Sequence, residues 1–397
     1  MAINPFVWTG PIEGGVPRAD FARHTALTLK GGTHIAMFSP RGTGKTSFLN
    51  EIRTELLAER DRDEPPYEML TVDLRRAISI PAFIGAVSDA VNYHPSGRLR
   101  RNAKAAWGKL EKEIGINLGV VKAGARTAGR QPVNEEEILH GQLRAVADLA
   151  DRIVVVFDEF QRLNNCPGQP LSLIRSALMG PEQKNVSLLL TGSLRERLRL
   201  MLHTDTEPIW DQTHDVDLPL LDYAGLVEYL ELKFEATGRP IAEKAVEHLV
   251  DLTNLHPKRT QHLAWYVWDR AARGVTISVS AVQEAFDALI TSGRDNTDFT
   301  KVIDTMLSGD DAEQNDVKAL FLLASGRSTG SSRDAQLYGL GDNKAVARAL
   351  TRLRERGVID GGPNAMQIVD PLLEAWLRKQ DPIQPDAVEA AGDETPS

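Results

Sequence analysis

Four short apolar runs punctuate the chain between about Pro5 and Pro219: His34–Phe38, Met69–Val72, Ile153–Phe157 and Val186–Leu190. A fifth, more polar run is Asp215–Leu218. Each precedes a helical or turn pattern. Short, β-rich apolar runs bounded by turn signals read as buried strands, and strands alternating with amphipathic helices predict a mostly parallel sheet in an α/β fold.

Between Tyr93 and Val133 the alternation lapses. Arg98, Arg100, Arg101, Lys104, Lys109, Lys112, Lys122, Arg126 and Arg130 face only Glu111 and Glu113 there. The stretch 93–133 reads as a basic insertion with one short helix and a mobile loop. From Asp222 to about Leu307 helical periodicity replaces the strands, with Leu226, Tyr229, Leu230 and Phe234, then Val246, Leu249 and Val250. Helices are then expected over Asn315–Ala324, Ser332–Tyr338 and Lys344–Arg356, followed by the short extended pieces Val358–Ile359 and Gln367–Ile368 around Gly361–Gly362. Three helices and a hairpin predict a winged helix. The predicted organisation is a sheet domain over 1–221, an all-helical domain over 222–308, a winged helix over 309–380 and an acidic tail over 381–397. The tail, rich in Pro, Ala, Asp and Glu, has the composition of disorder.

A length of 397 residues suits two or three domains, and 42% hydrophobic with 25% charged residues supplies ample core material. The net charge of −9 argues against coating nucleic acid through bulk charge, while leaving room for a local basic face. With Cys166 the single cysteine, neither an intramolecular disulfide nor a cysteine-built zinc site can form, which fits a reducing compartment. Met1–Gly15 has no basic stretch followed by an apolar run, and no segment approaches the roughly 20 apolar residues of a membrane helix. The expectation is a cytoplasmic chain without membrane contact.

The strongest chemical signal is Ser39-Pro40-Arg41-Gly42-Thr43-Gly44-Lys45-Thr46-Ser47. It follows the strand His34–Phe38 and opens a helix with apolar residues at Phe48, Leu49, Ile52, Leu56 and Leu57. That strand–loop–helix setting marks a phosphate-binding loop. Gly42 and Gly44 let backbone N–H groups turn around phosphate oxygens, Lys45 reaches the β- and γ-phosphates, and the Thr46 hydroxyl is a Mg²⁺ ligand. Ser39 stands where the pattern has its first glycine, which requires a negative φ there.

Next comes Ile153-Val-Val-Val-Phe157-Asp158-Glu159, a buried strand ending in two carboxylates, at the end of a parallel sheet where ligands bind. Asp158 would hold Mg²⁺, mostly through water, and Glu159 would polarise the attacking water. A third strand ends in Thr191-Gly192-Ser193, whose hydroxyls are candidates to sense the γ-phosphate; Ser193 could instead only cap a helix. His256, before Pro257 at a predicted helix start, is a candidate phosphate contact or a surface histidine.

Together these residues resemble the STAND and origin-initiator branches of the AAA+-type P-loop ATPases, and most nearly the archaeal ATPase group. The resemblance spans about Phe6 to Leu377 and rests on Arg41–Ser47, Asp158-Glu-Phe-Gln161, Thr191-Gly-Ser193, His256-Pro257 and Ile368-Val-Asp-Pro-Leu-Leu-Glu-Ala-Trp376. It implies a nucleotide-binding sheet domain, a helical lid and a winged helix, with ATP and Mg²⁺ as ligands. Two departures stand out. The group's Gly-His-Pro is Leu255-His256-Pro257 here, and the arginine often found near Pro208 is missing. Arg195, Arg197 and Arg199 are the remaining arginine-finger candidates, so basal turnover is expected to be slow until a protein partner or a homo-oligomer completes the site.

Lys344, Arg348, Arg352 and Arg356 recur every fourth residue on one face of the predicted helix, opposite Val346, Leu350 and Leu353. They fit phosphate contacts to double-stranded DNA, or a solvated helix face. The functional expectation is an ATP-hydrolysing switch or motor coupled to DNA or to a protein. The alternative is a winged-helix regulator that binds ATP and hydrolyses little; a small-molecule kinase lacks an acceptor motif.

Overall fold

The computed structural model describes residues 3–9, 14–58, 66–114, 134–292, 294–362 and 366–383. All five apolar runs form strands: β1 (Ile35–Phe38), β2 (Tyr67–Asp73), β3 (Arg152–Asp158), β4 (Val186–Gly192) and β5 (His214–Asp217). They make one sheet in the order β2-β3-β4-β1-β5, with every neighbouring pair parallel. β4 lies in the middle and is buried along its whole length, whereas β5 is an edge strand with mostly exposed residues, which accounts for its polar composition.

Successive residues of a strand point to opposite faces of the sheet. Val154 and Val156 therefore join one core with Ile35, Met37 and Leu189, beneath the helices Ala19–Lys30 and Lys45–Ala58. Val155 and Phe157 join the other with Phe38, Leu188 and Leu190, covered by Ile80–Asn92, Glu135–Ala147 and Pro170–Leu178. The result is a three-layer α/β unit.

In the basic insertion the expected short helix is a long one, Gly97–Ile114. Leu99 and Ala103 are buried, and Trp107 and Leu110 pack against the same core. Their i, i+4 spacing is an amphipathic stripe that the surrounding arginines and lysines obscured. The expected mobile loop lies at 115–133 and the expected disordered tail at 384–397, both outside the described residues.

By packing, the chain divides into two compact units: Arg18–Arg41 with Lys45–Pro219, and Met1–Pro17 with Gly42–Gly44 and Leu220–Ser397. In the second unit, the helices Tyr223–Ala236, Glu243–Leu252, Pro257–Arg270 and Val279–Ser292 enclose Leu230, Phe234, Val246, Leu249, Leu263 and Leu289. The N-terminal segment belongs to this core. Phe6 is buried in it with its ring centroid 4.7 Å from that of Phe234, and Asn4 Nδ2 donates to the Trp265 carbonyl at 3.1 Å.

Beyond Arg294–Leu307 come the helices Asp311–Ala324, Ser332–Leu337 and Asn343–Glu355. An antiparallel pair, β6 (Ile359–Asp360) and β7 (Gln367–Ile368), follows with Ile359 opposite Ile368, and then the helix Pro371–Lys379. Val317, Leu320, Val346, Leu350, Leu353 and Trp376 form the core of this region. The observed elements match the three helices and hairpin expected for 310–380 to within a few residues. No helix among the described residues is long and apolar enough to cross a membrane.

Candidate active site

Ser39 follows β1, and its N–H donates to the Gly192 carbonyl at 3.1 Å, extending the pairing of β1 with β4 by one step. Positive φ among described non-glycine residues is confined to Glu159, Asp211, Asn254 and Leu255, so Ser39 meets the condition for replacing glycine. Gly42 and Gly44 have φ of 82° and 91°, values that favour glycine because a side chain would clash with the backbone. The loop then opens the helix Lys45–Ala58, which has no acidic residue in its first turn. Its unpaired N–H groups and positive dipole end suit an anion. Phe48, Leu49, Ile52 and Leu56 anchor the helix in the core. Pro40, Arg41, Thr43 and Ser47 take their places along the same loop and first turn, with Arg41 and Thr46 exposed.

Lys45 Nζ lies 2.7 Å from Asp158 Oδ1 and 2.8 Å from Glu159 Oε1. One ammonium thus bridges both carboxylates. Asp158 Oδ1 also accepts from Thr191 Oγ1 at 2.6 Å and from the Glu159 N–H at 3.1 Å. Asp158 and Thr191 are register partners of β3 and β4, which makes this contact a consequence of strand pairing. Ser193 Oγ donates to Glu159 Oε2 at 2.8 Å, and Gln161 Nε2 donates to the same oxygen at 2.6 Å. Burial pushes the Glu159 carboxyl up, but Lys45 and the hydrogen bonds from Ser193 and Gln161 outweigh it and hold the pKa below the ordinary 4.5. Glu159 therefore stays charged and basic across the neutral range. Its backbone is left-handed, with φ 58°, a conformation that costs a non-glycine residue about 1 kcal/mol or more and clusters at functional sites.

The donors present fit the expected ligands. Glycines with positive φ before a helix N-terminus are the parts from which a phosphate cradle can be made. The Thr46 hydroxyl and the Asp158 carboxylate are hard oxygen donors of the kind Mg²⁺ takes, with phosphate and water supplying its remaining positions. Magnesium, when bound, would offset charge on the phosphate oxygens. Lys45 is an ammonium of the kind that binds phosphate oxygens, and its partners here are Asp158 Oδ1 and Glu159 Oε1.

His256 is buried and caps the helix Pro257–Arg270, its Nδ1 accepting from the Arg259 N–H at 3.3 Å. Gly42–Gly44 pack within the same unit. The Lys258 N–H donates to the Gly42 carbonyl at 3.2 Å, and a Cβ built on Gly42 would meet His256 Cε1 at 2.7 Å. Leu255, at the position where the group carries glycine, adopts φ 54°. The left-handed turn is kept here without the residue that makes it inexpensive.

Three residues of the site were not legible as such. Asp73, the last residue of β2, and Arg75 form an ion pair, with the Arg75 guanidinium raised first by Asp73 and further by Asp158 and Glu159. Gln161, only 2% exposed, closes the sequence Asp158-Glu-Phe-Gln161, in which no local pattern gives its amide a task. The register Asp73↔Asp158 is tertiary information, and no local pattern encodes it. Of the arginine-finger candidates, Arg195 is engaged by Asp217 at 2.6 Å and lies over the Phe38 ring.

The basic stripe divides into two pairs. Arg352 Nη2 lies 2.6 Å and Arg356 Nη1 3.4 Å from the carboxylate of Asp316, a residue with no exposure at all. These two arginines neutralise a buried charge, whereas Lys344 and Arg348 are exposed. Arg352→Ala is expected to cost about 3 kcal/mol because it strips a buried carboxylate of its nearest partner. Arg348→Ala should stay within about 0.5 kcal/mol of the unaltered chain. Urea unfolding of both variants checks the contrast.

No protein-family model and no curated protein matches this chain by sequence. Solved structures do match. The Walker-type ATPase of Pyrococcus abyssi superimposes with a TM-score of 0.63 at 16% identity, covering 91% of this chain and 96% of that one. The ORC2 protein of Aeropyrum pernix, solved with ADPNP and ADP, gives a TM-score of 0.54 at 14% identity, covering 96% and 98%. Its ADP form gives 0.51 at 13% identity, covering 94% and 97%. With a parallel sheet in the order β2-β3-β4-β1-β5 and a glycine loop joining β1 to its helix, the chain has the P-loop NTPase fold, as seen in these Walker-type and ORC structures.

Proposed function

We propose that the chain is a Mg²⁺-dependent ATPase that works as a molecular switch or motor, coupling its nucleotide state to a DNA or protein partner. The single observation that carries the reading is Lys45 bridging Asp158 and Glu159, which brings the phosphate-binding lysine, the cation ligand and the general base within one hydrogen-bonded cluster. ATP would lie along Pro40–Ser47, with Thr46 and Asp158 holding Mg²⁺ and Thr191 and Ser193 reading the γ-phosphate. His256, which packs in the same unit as Gly42–Gly44, would add a phosphate contact. Coupling would run through the lid and the C-terminal winged helix, with Lys344 and Arg348 as its outward cations.

A regulator that binds ATP and hydrolyses little is the second reading. It draws support from Arg195, the arginine nearest the motif, which is already paired with Asp217. An arginine finger is worth about 10³ to 10⁵ in rate, so without one basal turnover would be slow. The deciding experiment is ATP hydrolysis by the purified chain with and without double-stranded DNA, with Glu159→Gln as the blank. Stimulation by DNA is the expected result for a DNA-coupled motor. Glu159-dependent turnover indifferent to DNA would move the proposal to a protein-partnered switch, and no nucleotide binding at all would overturn it.

A further inference from the structure

Each residue of Thr191-Gly192-Ser193 serves one polar residue of Asp158-Glu159-Phe160-Gln161. Thr191 donates to Asp158, and Ser193 donates to Glu159. Gly192 serves Gln161 by what it lacks. A Cβ built on Gly192 would stand 2.5 Å from Gln161 Oε1, closer than any real contact, and 3.0 Å from Leu198 Cδ2. Gly192 has no positive φ to explain its identity, and a Cβ there would press on the buried Gln161 amide and on Leu198.

The amide so accommodated has one polar task. Gln161 Nε2 donates to Glu159 Oε2 at 2.6 Å and to Ser193 Oγ at 3.4 Å, while Oε1 has no partner and is shut away from solvent. The opposite amide orientation would set an oxygen against the carboxylate, which only accepts. An amide that leaves its own oxygen unsatisfied to keep one N–H on a carboxylate is costly as a packing element. Phe160, between the two residues, is fully buried, so the turn carrying Glu159 and Gln161 is anchored in the core.

We infer that Gln161 is a positioning residue for Glu159, and that Gly192 is the space it requires. The inference rests on the reading of Glu159 as the base. Gln161 and Ser193 hold Oε2, leaving Oε1 as the oxygen bound by Lys45 and freed when Lys45 turns to phosphate. A carboxylate held at one oxygen presents the other in a fixed direction, and a general base depends on that geometry. The same two hydrogen bonds keep the left-handed residue 159 from relaxing.

The test is single-turnover ATP hydrolysis, which reads slow chemistry directly, beside equilibrium binding of a non-hydrolysable ATP analogue. Gln161→Met keeps the volume and removes the amide. It should lower the hydrolysis rate about 10- to 100-fold, the worth of one hydrogen bond to a charged group. Affinity for a non-hydrolysable ATP analogue should be unchanged, so that the loss falls on the chemical step alone. Gly192→Ala, with Gln161 intact, should give the same phenotype, and the double variant should be no slower than either single one. A thermal melt confirms that each variant is folded. Gln161→Met with a normal rate, beside an inactive Glu159→Gln, would overturn this inference and leave the site reading standing. Undiminished turnover by Glu159→Gln would overturn both.

Discussion

Glu159→Gln is expected to bind ATP as well as the unaltered chain does and to lose about 10² to 10⁴ in turnover. The amide keeps the size of the side chain and its place beside Lys45, Ser193 and Gln161, but it has no basic oxygen to polarise water. Lys45→Ala is expected to behave in the opposite way, abolishing nucleotide binding itself. It removes the ammonium that bridges both carboxylates, so Asp158 and Glu159 would be left as adjacent, largely buried like charges. Equilibrium binding of a fluorescent ATP analogue, beside turnover, separates the two variants. Tight nucleotide binding by Lys45→Ala would remove the phosphate-loop assignment.

The second large effect is expected from Arg259→Ala. Arg259, 7% exposed, holds three helices of its unit together. Its Nε donates to both oxygens of Asp370 at 2.9 and 3.0 Å, Nη2 also bonds Asp370, and Nη1 donates to Asp295 at 3.1 Å. Asp370 caps the helix Pro371–Lys379, accepting from the Leu372 N–H at 3.1 Å. Asp295 is shared with His262, whose Nδ1 lies 3.1 Å away beneath the Trp8 ring. Removing the guanidinium leaves two carboxylates in a poorly solvated space, which costs about 3–5 kcal/mol. Urea unfolding of Arg259→Ala should show a matching fall in stability, and a double-mutant cycle with Asp370→Asn a coupling above about 1 kcal/mol. A loss below 1 kcal/mol would mean that the network is not holding these helices.

This joint explains why Asp370 occurs where it does. In the sequence, Ile368-Val-Asp-Pro-Leu-Leu-Glu-Ala-Trp376 reads as a helix start with an N-cap and proline, and it is one. That the cap also receives an arginine 111 residues away is invisible to any local pattern. The basic stripe carried the converse difficulty. Every-fourth-residue spacing places Lys344, Arg348, Arg352 and Arg356 along one face, but Asp316, on the helix Asp311–Ala324, meets only the last two.

What the sequence determined by itself was whatever depends on neighbours within a turn or a strand. The five strands follow from short apolar runs, the phosphate loop from a strand–glycine–helix order, and the carboxylates from their place at the end of β3. Periodicity and turn chemistry act over a few residues, so a linear reading recovers them. Tertiary structure alone decided which side chains meet. Lys45 reaches Glu159 across 114 residues, Thr191 reaches Asp158 across 33, and Gly192 makes room for Gln161 only because β3 and β4 pair in one register. Such contacts are set by how buried layers pack, since a buried polar group must find its partner wherever the packed core places one.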